Sequence, residues 1–287
     1  MRTIRATAGG TVISTQACRS LQVTAAPRRR GNSIVEMCAS VRECPPSGKS
    51  HDEPAGTLAR IAQRVSVPDP AVEVWHVPLA VSASELERLA LLLSRDEQMR
   101  AARFQFTRDR DRSIAAHGML RVLLGDYLGI APAAIAFESG PDGKPTLAAP
   151  YSSVHFNLSH AGELAICAIA RDCVPGIDLE RLDRAVDHDG LARRFFSARE
   201  YAELRRIPDA QRNRAFLACW TCKEAIAKAT GRGLRMPLHK IEVTVDPDAP
   251  PQVLNVPEGK AREWSLHRID AGRAYVATLA TDRFLKV

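Results

Sequence analysis

Apolar and polar residues after position 71 follow patterns that predict alternating strands and helices. Residues 72–77 alternate, as a strand with one buried face does. Ser82 or Ser84 can cap the helix that follows, because a serine oxygen accepts hydrogen bonds from the first free backbone amides of a helix. A longer helix is predicted from about 109 to 128, and Gly129 is placed to end it.

The rest of the chain repeats this order of elements. Strands are predicted at 154–158, 164–170 and 176–180, helices at about 188–196, 198–206 and 212–230, and strands again at 241–246, 263–269 and 274–280. This mixture predicts a fold of the α/β (α+β) class. No stretch approaches the roughly 18 apolar residues of a membrane-spanning helix, so we expect no membrane association.

The net charge of +7 is concentrated in one part of the 287-residue chain. Residues 1–70 hold ten Lys/Arg and five Asp/Glu, whereas the other 217 residues hold 30 and 28 and so carry only +2. A body with balanced charge and only 5% aromatic residues argues against binding of nucleic acid. The apolar content of 45% supports a packed core in one large domain or two small ones.

The segment 1–70 also differs from the rest in its pattern. Six arginines and no acidic residue precede Glu36, without the apolar run of a signal peptide. Organellar transit peptides are similarly rich in arginine, but the absence of an amphipathic period favours a disordered tail or an over-called start site. We expect a disordered, basic leader at 1–70 that the folded protein does not need.

The seven cysteines are odd in number and scattered, which favours a reducing, cytoplasmic location over a disulfide framework. Cys219 and Cys222 have Cys-x-x-Cys spacing, but they lie inside a predicted helix and no second pair is nearby to complete a zinc site. We expect both to fill space in the core.

Two acidic residues two positions apart, Asp178 and Glu180, carry the strongest chemical signal. On a strand they share one face, while Ile177 and Leu179 point to the opposite, apolar face. Such a pair alone is usually the solvated face of a strand. The apolar opposite face and the residues that follow make a functional site the better interpretation.

The helix predicted at 212–230 adds an acid and a base. Glu224 and Lys228 are four residues apart and share a face, although this stretch alone is typical of any amphipathic helix. Three carboxylates with water can supply the oxygen ligands of Mg²⁺, which usually binds substrate phosphates as well. Gly231 and Gly233 then allow the chain to approach a ligand closely.

Together these residues resemble the Sfp-type 4′-phosphopantetheinyl transferases, which carry a Gly-Ile-Asp-x-Glu strand and a Trp-(Ser/Thr)-x-Lys-Glu-x-x-x-Lys helix followed by Gly-x-Gly. The resemblance covers about residues 71–282. The matching segments, in the family's order, are Arg103-Phe104, Asp111-Arg112, Gly143-Lys144-Pro145, Phe156-Asn157-Leu158-Ser159-His160, Gly176-Ile177-Asp178-Leu179-Glu180, Arg194-Phe195-Phe196-Ser197, Trp220-Thr221-Cys222-Lys223-Glu224, Lys228 and Gly231-Arg232-Gly233.

The resemblance implies a fold and an activity. The fold would have two similar α/β lobes, 71–157 and 158–287, related by a pseudo-twofold axis, with the active site in the cleft between them. The activity would be transfer of the 4′-phosphopantetheine arm of coenzyme A to a serine of an apo acyl or peptidyl carrier protein, with release of adenosine 3′,5′-bisphosphate. A monomer is expected.

The resemblance also assigns roles to residues. Asp178, Glu180 and Glu224 would hold Mg²⁺ on the pyrophosphate. Glu224, directly or through a metal-bound water, would accept the proton of the attacking serine, and Lys228 would stabilise the transferring or leaving oxygens. The residues expected to contact coenzyme A are Arg100, Arg112, Lys144, Ser159, His160 and Lys223.

Within that last set, Lys223 and His160 are expected at phosphate oxygens and the other basic residues at the adenine-bearing end and its 3′-phosphate. Glu97 stands where a family member can have a lysine, so this subsite departs from the family pattern. Two alternative functions stay open. One is a magnesium-dependent hydrolase of coenzyme A or another nucleotide pyrophosphate, and the other is an RNA-binding module that uses the leader and the 95–121 segment.

Overall fold

A computed structural model describes residues 58–140, 142–184 and 187–282, with the backbone alone of Leu234. Four of the described strands form an antiparallel sheet in the order β1-β2-β6-β5. Its strands are β1 (Gln63–Val65), β2 (Val72–Pro78), β5 (His155–Ala161) and β6 (Leu164–Ala170). The strands predicted at 72–77 and 164–170 are confirmed.

Helices α1 (Ala83–Leu92) and α3 (Thr107–Leu128) pack on this first sheet, and α2 (Arg95–Ala101) packs against α3. Ser82 caps α1 by accepting from the backbone of Glu85, and Gly129 ends α3 with a φ of 70°. That left-handed conformation favours glycine. Both helix ends are therefore set by residues that the sequence identifies, whereas the sequence did not predict α2.

A second antiparallel sheet has the order β10-β11-β7. Its strands are β7 (Val174–Arg181), β10 (Trp264–Ile269) and β11 (Tyr275–Asp282), and the helices beside it are α4 (His188–Phe195), α5 (Ala198–Arg206) and α6 (Asp209–Ala229). Helix α6 lies so close to β7 that a Cβ on Gly176 would overlap the carbonyl oxygen of Ala225. The missing side chain thus lets the helix with Glu224 rest on the strand with Asp178.

Two short hairpins complete the mixed helix-and-sheet fold: β3 (Phe137–Ser139) with β4 (Pro145–Leu147), and β8 (Glu242–Val243) with β9 (Val253–Asn255). The strand predicted at 241–246 is thus only two residues long as β8. No helix in the described ranges is long and apolar enough to cross a membrane.

The structure differs from two predicted boundaries. Leu58 is buried in the core of the first sheet, and β1 pairs with β2, so residues 58–70 belong to the fold and not to a disordered leader. Residues 1–57 lie outside the described residues. The proposed lobe boundary at 157/158 cuts through β5, which pairs along its length with β6. The two sheets separate between β6 and β7 instead.

Candidate active site

Asp178 lies on β7 and is almost completely buried, at 5% exposed. Its Oδ1 accepts hydrogen bonds from Lys228 Nζ at 2.6 Å and from Ser159 Oγ at 3.1 Å. Its Oδ2 is buried and has no hydrogen-bond partner among the described residues. Since buried polar atoms are nearly always paired, this oxygen has capacity for a further donor or a cation.

Lys228 joins α6 to the strands of both sheets. Besides Asp178, its amine donates to Ser159 Oγ on β5 at 2.9 Å and to the carbonyl oxygen of Ile177 on β7 at 3.2 Å. An ammonium group has three N–H donors, and three acceptors surround this one. Lys228 can therefore bind a phosphate oxygen only by exchanging one of these partners.

Glu224 is the second acid at this position. Its Oε1 is buried without a hydrogen-bond partner among the described residues. Burial, together with the nearby negative charge of Asp178, raises the pKa of Glu224 to about 7, although Lys228 opposes the shift. A carboxyl group with a pKa near neutral pH is suited to accept and release a proton.

Glu180 is engaged differently. Both of its oxygens accept from Nη1 of Arg184, at 2.9 and 2.8 Å. Burial and the charge of Asp178 raise its pKa, so these two acids repel each other. Within the described ranges, no set of three or more His, Cys, Asp or Glu side chains is arranged to hold a metal ion. The three predicted ligands are thus neighbours, but they do not form a complete metal site as they stand.

Lys223 corrects the sequence prediction. Its side chain is fully buried, and its amine forms an ion pair with Glu200 Oε2 at 2.6 Å. The same amine donates to the carbonyl oxygens of Leu238 at 2.8 Å and Ile241 at 2.5 Å. With no exposed surface and its donors used inside the core, Lys223 cannot contact a phosphate, and the predicted contact is wrong.

His160 lies on β5 of the first sheet, and Arg112 lies on α3, which packs on that sheet. Burial lowers the pKa of His160 to about 4, and the positive charges of His117, Lys228 and Arg112 add to this. Arg112 pairs with Glu163, and its Nε is buried without a partner among the described residues. Two of the predicted anion-binding residues, His160 and Arg112, thus lie close to Lys228.

Lys144 approaches from the loop before β4. Its amine donates to the carbonyl oxygens of Ala229 at 3.1 Å and Pro175 at 3.5 Å. Burial lowers the pKa of Lys144 to about 8. Gly231, with a φ of 77°, packs on the Lys144 side chain. The predicted Gly-Lys-Pro and Gly-x-Gly segments therefore meet at the end of α6.

The sequence of this chain is similar to those of known proteins. A family model described as "4'-phosphopantetheinyl transferase superfamily" matches residues 175–280, and one described as "4'-phosphopantetheinyl transferase, N-terminal" matches residues 80–172. The 4′-phosphopantetheinyl transferase HetI of Nostoc sp. is 41% identical over 215 residues, which are 74% of this chain and 88% of that protein. The chain belongs to the 4′-phosphopantetheinyl transferase superfamily.

A 4′-phosphopantetheinyl transferase of Bacillus subtilis is 32% identical over 169 residues, 58% of this chain and 73% of that protein. The holo-[acyl-carrier-protein] synthase of Thermotoga maritima aligns over 38% of this chain and 63% of that chain. The TM-score of 0.31 and the identity of 17% are both low. The two family models meet between residues 172 and 175, where the two sheets of this 4′-phosphopantetheinyl transferase family member separate.

Glu97 departs from the family pattern for a structural reason. Its Oε2 accepts from Arg121 Nη2 at 2.7 Å and Nε at 2.9 Å, and from the backbone amide of Ser94 at 2.8 Å. Glu97 thus forms a buried ion pair with Arg121 and is the third residue of a capped helix. Arg100, on the same helix, is exposed, so its contact with the 3′-phosphate remains a prediction.

Sequence reasoning missed Arg184 and Glu200. Arg184 lies beyond the end of β7, in the turn that follows Glu180, so no strand or helix pattern predicts its ion pair. Glu200 does have a local signal, because Ser197 and Glu200 form the Ser-x-x-Glu capping box that the structure shows. Cys219 and Cys222 are free and buried, as expected for residues that fill space in the core.

Proposed function

We propose that this protein transfers the 4′-phosphopantetheine arm of coenzyme A to a serine of an apo acyl or peptidyl carrier protein in a magnesium-dependent reaction that releases adenosine 3′,5′-bisphosphate. Membership of the superfamily supports the reaction class. One structural observation carries the assignment of the site. Two buried carboxylate oxygens, Asp178 Oδ2 and Glu224 Oε1, have no hydrogen-bond partner among the described residues and lie near the amine of Lys228.

The acids fit a divalent cation. Buried carboxylates that repel one another and have unpaired oxygens are relieved by a bound positive charge. Asp178 and Glu224 would hold Mg²⁺, and Glu180 would join them by leaving Arg184. When bound, the ion neutralises charge on the pyrophosphate of coenzyme A.

The residues of the chain account for the proton and the charge. The serine oxygen forms a bond to the phosphorus that bears the pantetheine arm, and the bond from this phosphorus to the bridging oxygen of the pyrophosphate breaks. Glu224 would accept the serine proton; its pKa of about 7 holds for the protein without metal, and a bound cation would lower it. The leaving phosphate oxygen gains negative charge, which Lys228 stabilises.

Coenzyme A would lie along the basic residues beside this cluster. Arg112, with an unpartnered Nε, and Lys144, which bonds to backbone carbonyls, can both turn toward phosphate oxygens. His160 is neutral in the free protein because burial and neighbouring cations lower its pKa to about 4. A bound phosphate would raise that pKa, because the opposite charge favours the imidazolium. Ser159 already bonds to Asp178 and Lys228, which favours a supporting role.

The test is incubation of purified protein with coenzyme A, Mg²⁺ and a panel of apo carrier proteins, followed by intact-mass measurement. We expect a carrier to gain one phosphopantetheine group, and a carrier with the acceptor serine replaced by alanine to gain none. Cleavage of coenzyme A at the same rate with and without carrier would support the hydrolase instead. No modification of any carrier and no cleavage would contradict both.

A further inference from the structure

Two edge strands face each other at the site. Strand β5 ends the first sheet and β7 ends the second, and the two belong to different sheets. Side chains connect them: Asn157 Oδ1 accepts from the amide of Ile177 at 2.7 Å, and Ser159 Oγ accepts from the amide of Leu179 at 3.2 Å. Both strands advance by two residues between these bonds, so they run parallel and in a defined register.

The pairing of β7 with β11 explains why these amides need a partner. In an antiparallel pair, every second residue turns its N–H and C=O away from the neighbouring strand. The amides of Ile177 and Leu179 bond to β5 side chains, so they are on the outward side. Since a buried amide without a partner is costly, Asn157 and Ser159 supply what a neighbouring backbone would supply in a continuous sheet.

Asn157 differs from Ser159 in its distance from the reacting groups. Ser159 Oγ bonds directly to Asp178 and Lys228, whereas the recorded bond of Asn157 goes to the backbone of Ile177. That residue precedes Asp178, and its carbonyl oxygen accepts from Lys228 Nζ. The peptide unit between Gly176 and Ile177 is therefore held from the β5 side through Asn157, and the carbonyl of Ile177, which leads to Asp178, is held from α6.

We propose that Asn157 is a positioning residue for the reaction: by holding the amide of Ile177, it fixes the register of β7 along β5 and so places Asp178 under Lys228. The inference rests on the proposed transferase function for its catalytic consequence. Asn157 acts through the backbone of β7, and within the described ranges its side chain has no hydrogen bond to the acids or to the amine.

The experiment compares two variants. Asn157→Ala removes the oxygen that accepts from the amide of Ile177, whereas Asn157→Asp replaces the carboxamide oxygen by a carboxylate oxygen that can accept the same bond. Asn255→Ala is the matched control, because Asn255 also bonds through its side chain to a backbone group, the carbonyl of Lys240 at 3.1 Å, on an exposed strand away from the site. The measurements are amide hydrogen exchange resolved at Ile177, the thermal melt, and kcat and KM for coenzyme A with a carrier protein.

We expect Asn157→Ala to speed exchange at Ile177 and to lower kcat about tenfold, with a smaller change in KM, because misplaced groups affect the transition state more than ground-state binding. Asn157→Asp should restore protection at Ile177 and most of kcat, and Asn255→Ala should change neither. Unchanged kcat in Asn157→Ala, or equal loss in both Asn157 variants at an unchanged melt, would overturn the proposal.

Failure of the proposed function gives a different result. If the wild-type protein modifies no carrier, the proposed function falls, and exchange alone decides whether Asn157 holds β7. Loss of protection at Ile177 in Asn157→Ala with recovery in Asn157→Asp supports that role. Equal protection of the Ile177 amide in Asn157→Ala and Asn157→Asp overturns the positioning role of Asn157.

Discussion

Helix α6 carries two lysines five residues apart that stand in very different surroundings. Around Lys223 every polar group is paired: the amine meets Glu200 and backbone carbonyls, and Glu200 also accepts from the amides of Ser197 and Val243. Around Lys228 the amine is paired, but oxygens of both Asp178 and Glu224 remain without a partner among the described residues. We call these the interior pair and the site cluster.

The different surroundings of Lys223 and Lys228 indicate different roles on one helix: the first lysine stabilises the fold, and the second belongs to the candidate site. A fully paired buried network stabilises one arrangement and has no capacity for a ligand. A cluster with unpaired buried oxygens costs stability, and a ligand that pairs them recovers it.

The largest effect should come from breaking the interior pair. Lys223→Met leaves the carboxylate of Glu200 buried and unpaired, which costs roughly 3 to 5 kcal/mol of unfolding free energy. Denaturant unfolding measures this cost, and Lys228→Met, in the partly exposed site cluster, should cost clearly less. A Lys223→Met protein that unfolds like wild type and has lost only affinity for coenzyme A would restore the phosphate-binding role.

Removing charge from the site cluster should abolish activity and spare the fold. Asp178→Asn keeps an oxygen for Lys228 and Ser159 but loses the negative charge, so carrier modification should fall by roughly a hundredfold or more, several kcal/mol at the transition state. The melt should stay near that of wild type, and Glu224→Gln should behave similarly. The magnesium assignment would be refuted if Asp178→Asn kept full activity, or if the wild-type protein kept its normal turnover in excess EDTA.

Two lysines near the cluster should separate turnover from binding. Lys228→Ala should lower kcat more than tenfold, because the amine acts on charge that develops during transfer, whereas Lys144→Ala should raise KM for coenzyme A by about tenfold. Steady-state kinetics with a carrier protein measures both. If both variants change KM alone and by the same factor, these roles are wrong.

The smallest effect, taken over one pH unit, concerns pH. Glu224 has a pKa of about 7 in the folded protein against an ordinary value of 4.5, so between these values the folded state binds more protons than the unfolded chain. This stabilisation is complete below the ordinary value and is lost as pH rises through about 7, by at most about 1.4 kcal/mol per pH unit. Denaturant unfolding in EDTA across this window should show a smaller decline for Glu224→Gln. Identical declines in the two proteins would contradict the raised pKa.

Local sequence signals predicted much of the fold. Ser82 and Gly129 set the ends of α1 and α3, and α5 has the predicted bounds. What the sequence could not supply were partners brought together by the fold. Nothing near Lys223 in the chain reveals that Glu200 meets its amine inside the core. Arg184 is only four residues from Glu180, but it lies beyond the end of β7, so no strand or helix pattern predicts their ion pair. Likewise β1 is short and is stabilised by its pairing with β2, so its own pattern is too weak to predict it.

The missing side chain of Gly176 fixes the thickness of the layer between a helix and a strand. Glu224 and Asp178 come from these two elements. The hydrogen atom that Gly176 has where alanine has a methyl group therefore sets the distance between the two acids. A larger residue at position 176 would lift the whole helix and alter the size of ion that the acids could share.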